Sequence, residues 1–366
     1  METDFSYCKT IYCEWNFLKA YSSKIDNLDI DFENIGELSF YKSLESLMLS
    51  KEVHIIFDIN KDQFESDAKV SANRILKSKE EGKEDEILNF DLLLSKMDKL
   101  YYAGGWNPEF RGQIVSFDNM DKENPMSLNS IYLVDKERET CSMMMMKFGI
   151  LVISVENIVD LLKYTNDNGA AIANKEKSDW YKVLKNKLPV CNSLIIVDNY
   201  ILKDTNSFEL NLERILDSCL PHCLKDGVKF HLTIVSPLKN NENMGGRYTS
   251  VKKILKHNQK LQNLGIELTV FKCEDVFHDR TIISNNFMIS CGAGFDLFKN
   301  SGAMHSTTIG ILCPFFNNSI AWAQKAYGNL IMELRKCWSK KKFDEYNKLT
   351  GSNIYIGSGI NRLIDE

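Results

Sequence analysis

The chain has 366 residues, 44 % of them hydrophobic and 26 % charged, the balance of an ordinary globular protein; its length exceeds what one core usually serves and predicts two domains. Six prolines and 19 glycines exclude collagen-like and Pro/Gly-rich disordered classes. With 45 basic against 50 acidic residues and a formal charge of −5, any footprint for nucleic acid is local, not a property of the whole surface.

No apolar run reaches the roughly 18 residues of a membrane span. Met1–Lys9 carries Glu2 and Asp4 and no apolar core, so a secretory signal is not expected and a cytoplasmic location is. The ten cysteines are scattered, several inside apolar runs, and no disulfide is expected in a reducing compartment. Cys219 and Cys223 flank His222, but no second pair stands at matching spacing. That segment reads as a helix ending at Pro221, not as half a zinc site. No metal and no cofactor are expected.

In chain order, Asp31–Ser50 carries a helical stripe at Ile35, Leu38, Tyr41, Leu44 and Leu47. Val53–Phe57 is a short buried strand closing on Asp58. The polar tract Lys77–Glu86 reads as a solvated loop. Gly104-Gly105-Trp106 reads as a turn with an aromatic plug. Gln113–Phe117, Ile131–Val134 and Phe148–Ser154 are further strand candidates, and the methionine run in Cys141–Met146 reads as adaptable core or interface filling. Glu14, Glu37 and Asp58 lie in or at the ends of apolar segments. Carboxylates from separate elements can gather a Mg²⁺ ion, but the spacing here is generic and ordinary capping accounts for it.

Polar stretches at 165–169 and 174–178 place a linker over residues 166–189, after a mixed α/β domain of unknown type at 1–165. Beyond it, the apolar strand Ser193–Val197 closes on Asp198. A helix with its stripe at Phe208, Leu212, Ile215, Leu216 and Cys219 follows, then strand Val228–Val235. The helix carrying Tyr248, Val251, Ile254 and Leu255 leads to strand Ile266–Phe271. Strands alternating with amphipathic helices predict βαβ crossovers and a mixed, mostly parallel sheet over 190–366. Two more strands, Arg280–Ile283 and Phe287–Ser290, are joined by an Asn285-Asn286 turn, Thr307–Leu312 is a last strand, and a long helix runs from Asn318 to about Lys341.

The segment richest in chemistry is Phe277–Phe298. His278 and Arg280 are two apart, so on a strand they share a face. Gly292 and Gly294 permit close backbone approach to a ligand, and Asp296 follows. An imidazole and a guanidinium on one face can hold a phosphate, the guanidinium by two parallel hydrogen bonds, and a histidine can also attack phosphorus. A purely structural network, with Arg280 pairing to Asp296, uses the same residues.

His278-Asp279-Arg280 followed by Gly292-Ala293-Gly294-Phe295-Asp296, with Ile195–Tyr200 upstream, resembles the phospholipase D superfamily. The resemblance is closer to the phospholipase-D-like C-terminal domain of MIT-domain proteins and its bacterial relatives. It implies a phospholipase-D-like α/β domain over about residues 190–345, and nothing about residues 1–165. Arg280 stands where the superfamily has lysine, Asn285 stands where a catalytic Asp is expected, and only one copy of the motif is present. The resemblance therefore implies a degenerate domain binding a phosphorylated ligand, nucleic acid or anionic phospholipid head group, through His278, Arg280, Asn285, Gly292, Gly294 and Asp296. Arg247, opening a helix after Gly245-Gly246, is a weaker anion candidate. Two alternatives stay open. One is a phosphodiesterase or nuclease acting as a dimer with His278 as nucleophile; the other is a protein–protein interaction module. The Lys-, Asn- and Ile-rich composition suggests an AT-rich genome, and the resemblance to bacterial relatives implies a bacterial accessory or effector protein of an anti-phage or mobile-element system. It would act as a homodimer or with a partner encoded nearby. The basic run Lys336–Lys342 reads as a solvated helix end.

Overall fold

A computed structural model of the chain describes residues 9–28, 35–51, 53–112, 127–164, 170–173, 179–184, 186–202, 208–236, 243–273, 280–299, 302–303, 307–315, 320–344, 349 and 353–365. Its contacts divide it into two compact units. The first is Met1–Met143 with Leu151–Leu162 and Asn318–Lys325; the second is Met144–Ile150 with Lys163–Asn317 and Ala326–Glu366.

The first unit is built on β1 (Thr10–Cys13), β2 (His54–Phe57), β3 (Glu109–Phe110), β4 (Ile131–Leu133) and β5 (Leu151–Ile153). They stand in the order β3-β2-β1-β4-β5, every pairing parallel. Such strands are buried on both faces, which is why Ile55–Phe57, Ile131–Leu133 and Leu151–Ile153 are uninterrupted apolar runs. Helices α1 (Trp15–Asp26) and α2 (Ile35–Met48) connect β1 to β2, α3 (Lys61–Glu80) and α4 (Asn89–Tyr102) connect β2 to β3, and α5 (Arg138–Phe148) precedes β5. A short α6 (Ile158–Leu161) follows it. Trp15 meets Phe57 and Phe64 edge to face, and Trp106, 2 % exposed, donates its indole N–H to Met48 O at 2.8 Å, so the aromatic plug is core. The tract at 77–86 is less of a loop than its polarity suggests. α3 continues to Glu80 and a 3₁₀ turn covers Glu84–Glu86, because an exposed helix needs no apolar stripe in its last turns. The strand candidate Gln113–Phe117 lies outside the described residues.

The second unit opens with β6 (Ala170–Ala173), α7 (Trp180–Leu184) and β7 (Ser193–Val197). A π-turn at Glu209–Glu213 runs into α8 (Arg214–Cys219), followed by β8 (Phe230–Ser236), α9 (Met244–His257), α10 (Gln259–Gln262) and β9 (Ile266–Lys272). Next come β10 (Thr281–Ser284), β11 (Met288–Cys291), the small ribbon β12 (Phe298–Lys299) with β13 (Gly302–Ala303), and β14 (Thr307–Leu312). Helix α11 (Ile320–Trp338), β15 (Lys342–Phe343), β16 (Ile354–Gly357) and α12 (Arg362–Asp365) end it. The sheet order is β15-β16-β9-β8-β7-β10-β11-β14-β6. Its centre, β9-β8-β7, is parallel, whereas β10, β11, β14 and β6 continue it antiparallel on one side and β16 pairs antiparallel on the other. The sheet is therefore mixed, with its parallel character confined to the βαβ part. The stretch expected as a linker belongs to this fold: Ala170–Ala173 pairs with β14, and Trp180, fully buried, donates its N–H to Asn211 Oδ1 and Phe295 O. Polar flanks hid both. Nine cysteines are free among the described residues, eight of them buried. Among those residues no helix is long and apolar enough to cross a membrane.

Candidate functional site

The site follows from the reversal of chain direction between β7 and β10. β7, β8 and β9 run parallel, so their carboxyl ends share one edge of the sheet. β10 is antiparallel to β7 with Thr281 opposite Val197, so the chain enters β10 at that same edge and Arg280 falls beside Asp198. Asp198 N donates to Val235 O at 3.1 Å, and Cys291 N donates to Arg280 O at 3.2 Å, so the lateral register continues past the strand ends. With Ser236 paired to Lys272, one row crosses five strands: Lys272, Ser236, Asp198, Arg280 and Cys291. Residues paired laterally point to one face of a sheet.

Asp198, 1 % exposed, is fixed by three backbone amides. Its Oδ1 accepts from Tyr200 N (2.6 Å) and Ile201 N (2.7 Å), and its Oδ2 from Phe295 N (2.8 Å). That turn places Tyr200 under Arg280, whose guanidinium carbon lies 5.1 Å from the ring centre. Arg280 Nη1 donates to Gly292 O at 2.6 Å, while its Nε is buried without a hydrogen-bond partner. Arg280 makes no ion pair among the described residues. Gly294 has φ +89°, and a Cβ there would lie 3.0 Å from Arg280 Cδ and 3.2 Å from Asp198 Oδ2. Glycine is required both for that backbone and for that closeness. Burial pushes the Cys291 thiol up, keeping it a neutral donor to Gly294 O at 3.1 Å.

The structure thus brings Arg280, Gly292 and Gly294 together. His278, with Asp279, lies outside the described residues. Asp296 does not pair with Arg280: its Oδ1 accepts from Asn211 Nδ2 at 3.0 Å and its Oδ2 is 3.9 Å from Lys299 Nζ. Asn285 stands at the other end of β10, where Oδ1 accepts from Asn192 N (2.9 Å) and Nδ2 donates to Gly149 O (2.7 Å). A four-residue strand separates it from Arg280, so it is a clamp of the hairpin turn and not a ligand to the site. Arg247 lies in the first turn of α9, its amide donating to Asn243 O, and is not one of the row's residues. Ser236 and Lys272 escaped the sequence reading. Each is the polar residue closing an apolar strand, a pattern that gains meaning only from the register.

In the first unit Glu14 and Asp58 do come together, Asp58 N donating to Cys13 O beyond the ends of β1 and β2. Glu14 Oε2 accepts from Asp135 N (2.8 Å), Asp58 Oδ1 from Trp15 N (2.6 Å), and desolvation raises both carboxyls above the usual range. Glu37 is elsewhere, on α2, accepting from Tyr41 Oη. Among the described residues no three His, Cys, Asp or Glu side chains are placed to hold a metal ion.

The second unit is thus an α/β domain on a mixed sheet, with Arg280 beside Gly292 and Gly294 at the carboxyl edge of its parallel strands. Residues 178–313 match the family model of the phospholipase D-like domain at the C-terminus of MIT, so this part of the chain is a phospholipase D-like domain. No curated protein matches the chain.

Proposed function

We propose that the phospholipase D-like domain binds a phosphate-bearing ligand at Arg280 and does not turn it over. The observation that carries this is the guanidinium itself: it is held by Gly292 O and Tyr200, has a buried Nε without a partner, and makes no ion pair among the described residues. A fixed guanidinium of this kind suits bidentate recognition of an oxyanion. By analogy with bacterial relatives of the domain, the protein is a cytosolic accessory or effector of an anti-phage or mobile-element system and works as a homodimer.

The test measures binding of single- and double-stranded DNA, RNA and anionic vesicles by the purified chain. Arg280→Ala is expected to weaken binding about ten- to hundredfold, the loss of one bidentate charged contact. Binding unchanged in Arg280→Ala would overturn the site. Metal-independent cleavage abolished by His278→Ala would replace binding with phosphodiester hydrolysis.

A further inference from the structure

We propose that the groove between α9, α10 and the start of β9 is a second binding site, and that it takes a small amphipathic acid, one carboxylate on a compact apolar body. The proposal does not rest on the reading of Arg280. Ile266 opens β9 and Lys272 closes it in the row that holds Arg280, so the groove lies about 20 Å along the strand from that row, at the other edge of the sheet.

Three observations carry it. The first is size. The groove encloses about 380 Å³, at the small end of the range for small-molecule sites and too little for a helix or strand of a partner. The second is its floor and wall. Leu255, Leu261 and Leu268 are buried beneath it, and Ile266 and Leu268, alternate residues of β9, face it together. Tyr248 forms one wall, and β16 sets its position. A Cβ on Gly357, whose φ is +112°, would lie 3.0 Å from Tyr248 Cε2 and 2.1 Å from Leu268 O, so only glycine lets strand, ring and floor come this close. The third is charge. Tyr248, Lys252, Leu255 and Lys256 stand at i, i+4, i+7 and i+8 and so share one face of α9. The Lys252 ammonium lies 5.3 Å from the centre of the Tyr248 ring, and neither lysine makes an ion pair among the described residues. Glu267 is the one acidic residue along the groove. Strand alternation puts it on the face of its lateral neighbour His231, opposite Ile266 and Leu268. Two ammonium groups beside an apolar floor, with no ion-pair partner of their own, suit an anion that carries an apolar body.

The experiment uses the full chain and 3-phenylpropionate as the probe, read by isothermal titration calorimetry. Saturable binding below about 1 mM is expected for a ligand of this size. Propionate, which lacks the ring, should bind about tenfold more weakly or worse, and the neutral 3-phenylpropionamide about three- to tenfold more weakly. Lys252→Gln and Lys256→Gln, both at exposed positions and checked for an unchanged melting temperature, should each weaken the acid about threefold or more and leave the amide unchanged. Glu267→Gln should leave the acid bound as tightly as before or tighter. No saturable binding of the acid overturns the proposal. So does equal affinity for acid and amide, or parent affinity when both lysines are replaced together, since the ligand is then not an anion held at this groove.

Discussion

Asn285 shows how much a single amide decides. Its carbonyl oxygen takes the Asn192 amide and its NH₂ takes the Gly149 carbonyl, all in the dry interior of the second unit. Only a side chain with one acceptor and one donor satisfies both. Asn285→Asp removes the donor and sets a carboxylate against the Gly149 carbonyl oxygen. The expected outcome is a loss of about 3–5 kcal/mol of stability and no gain of phosphodiesterase activity, read by urea denaturation and a cleavage assay. A stable variant that cleaves would show that the turn, and not the strand end, is the catalytic position. From the sequence alone, counting five residues from Arg280 suggested proximity to the ligand. The count is right, but a strand carries those residues away from the site instead of around it.

At the scale of elements, α12 is a clasp on the opposite, amino edge of the parallel strands. Arg362, 6 % exposed, donates from Nη1 to Asn192 O and from Nη2 to Lys229 O, each at 2.8 Å, and its backbone N–H donates to His231 Nδ1 at 3.0 Å. Burial and then the Arg362 charge lower the His231 pKa to about 4. The unfolded imidazole titrates near 6.5, so between those values the unfolded chain carries the extra proton. The clasp's contribution is therefore complete above about pH 6.5 and is lost as pH falls through about 4, at most roughly 3 kcal/mol for that difference. Thermal unfolding from pH 7 to 4 should show this slope in the parent protein, and His231→Gln, which keeps an acceptor for the Arg362 amide, should flatten it. An unchanged slope would assign the acid sensitivity to other groups. The long periodic elements were legible from sequence: β7, β8, β9, α9 and the body of α11 lie close to where their apolar patterns put them. α12 was not. Four residues carry no readable period, and Arg362 looks like a surface charge until its two carbonyl partners are known.

For the whole molecule, the informative point is where one folding unit ends. Met144–Ile150 clusters with the second unit although some of the chain that follows, Leu151–Leu162, clusters with the first. The reason is visible in the hydrogen bonds: Lys147 O accepts from Lys225 N, Phe148 O from Asn192 Nδ2, and Gly149 O from Asn285 and Asn286. A fragment beginning at residue 190 removes the acceptors of the buried Asn192 and Asn285 amides and leaves Asn286 only its bond to Val190 O. A fragment spanning 144–366 is expected to unfold at a clearly higher denaturant concentration than one spanning 190–366, at least several kcal/mol apart given the number of buried amides orphaned. Equal midpoints would show that residues 144–150 add nothing to the second unit. The boundary was illegible in the sequence because polar composition marks exposed chain, and the decisive contacts here are made by backbone carbonyls, which have no composition.

The reversal at β10 has one more consequence. Four chain segments leave or enter the sheet at the edge that holds Arg280: those after β7, β8 and β9, and the turn after β11. The hydrophobic strands behind them set the register of the row without any help from those segments. Descendants of this sequence can therefore lengthen, shorten or rewrite the segments after β8 and β9 and acquire new ligands, while Tyr200 after β7 and Gly292 and Gly294 after β11 keep the arginine aimed.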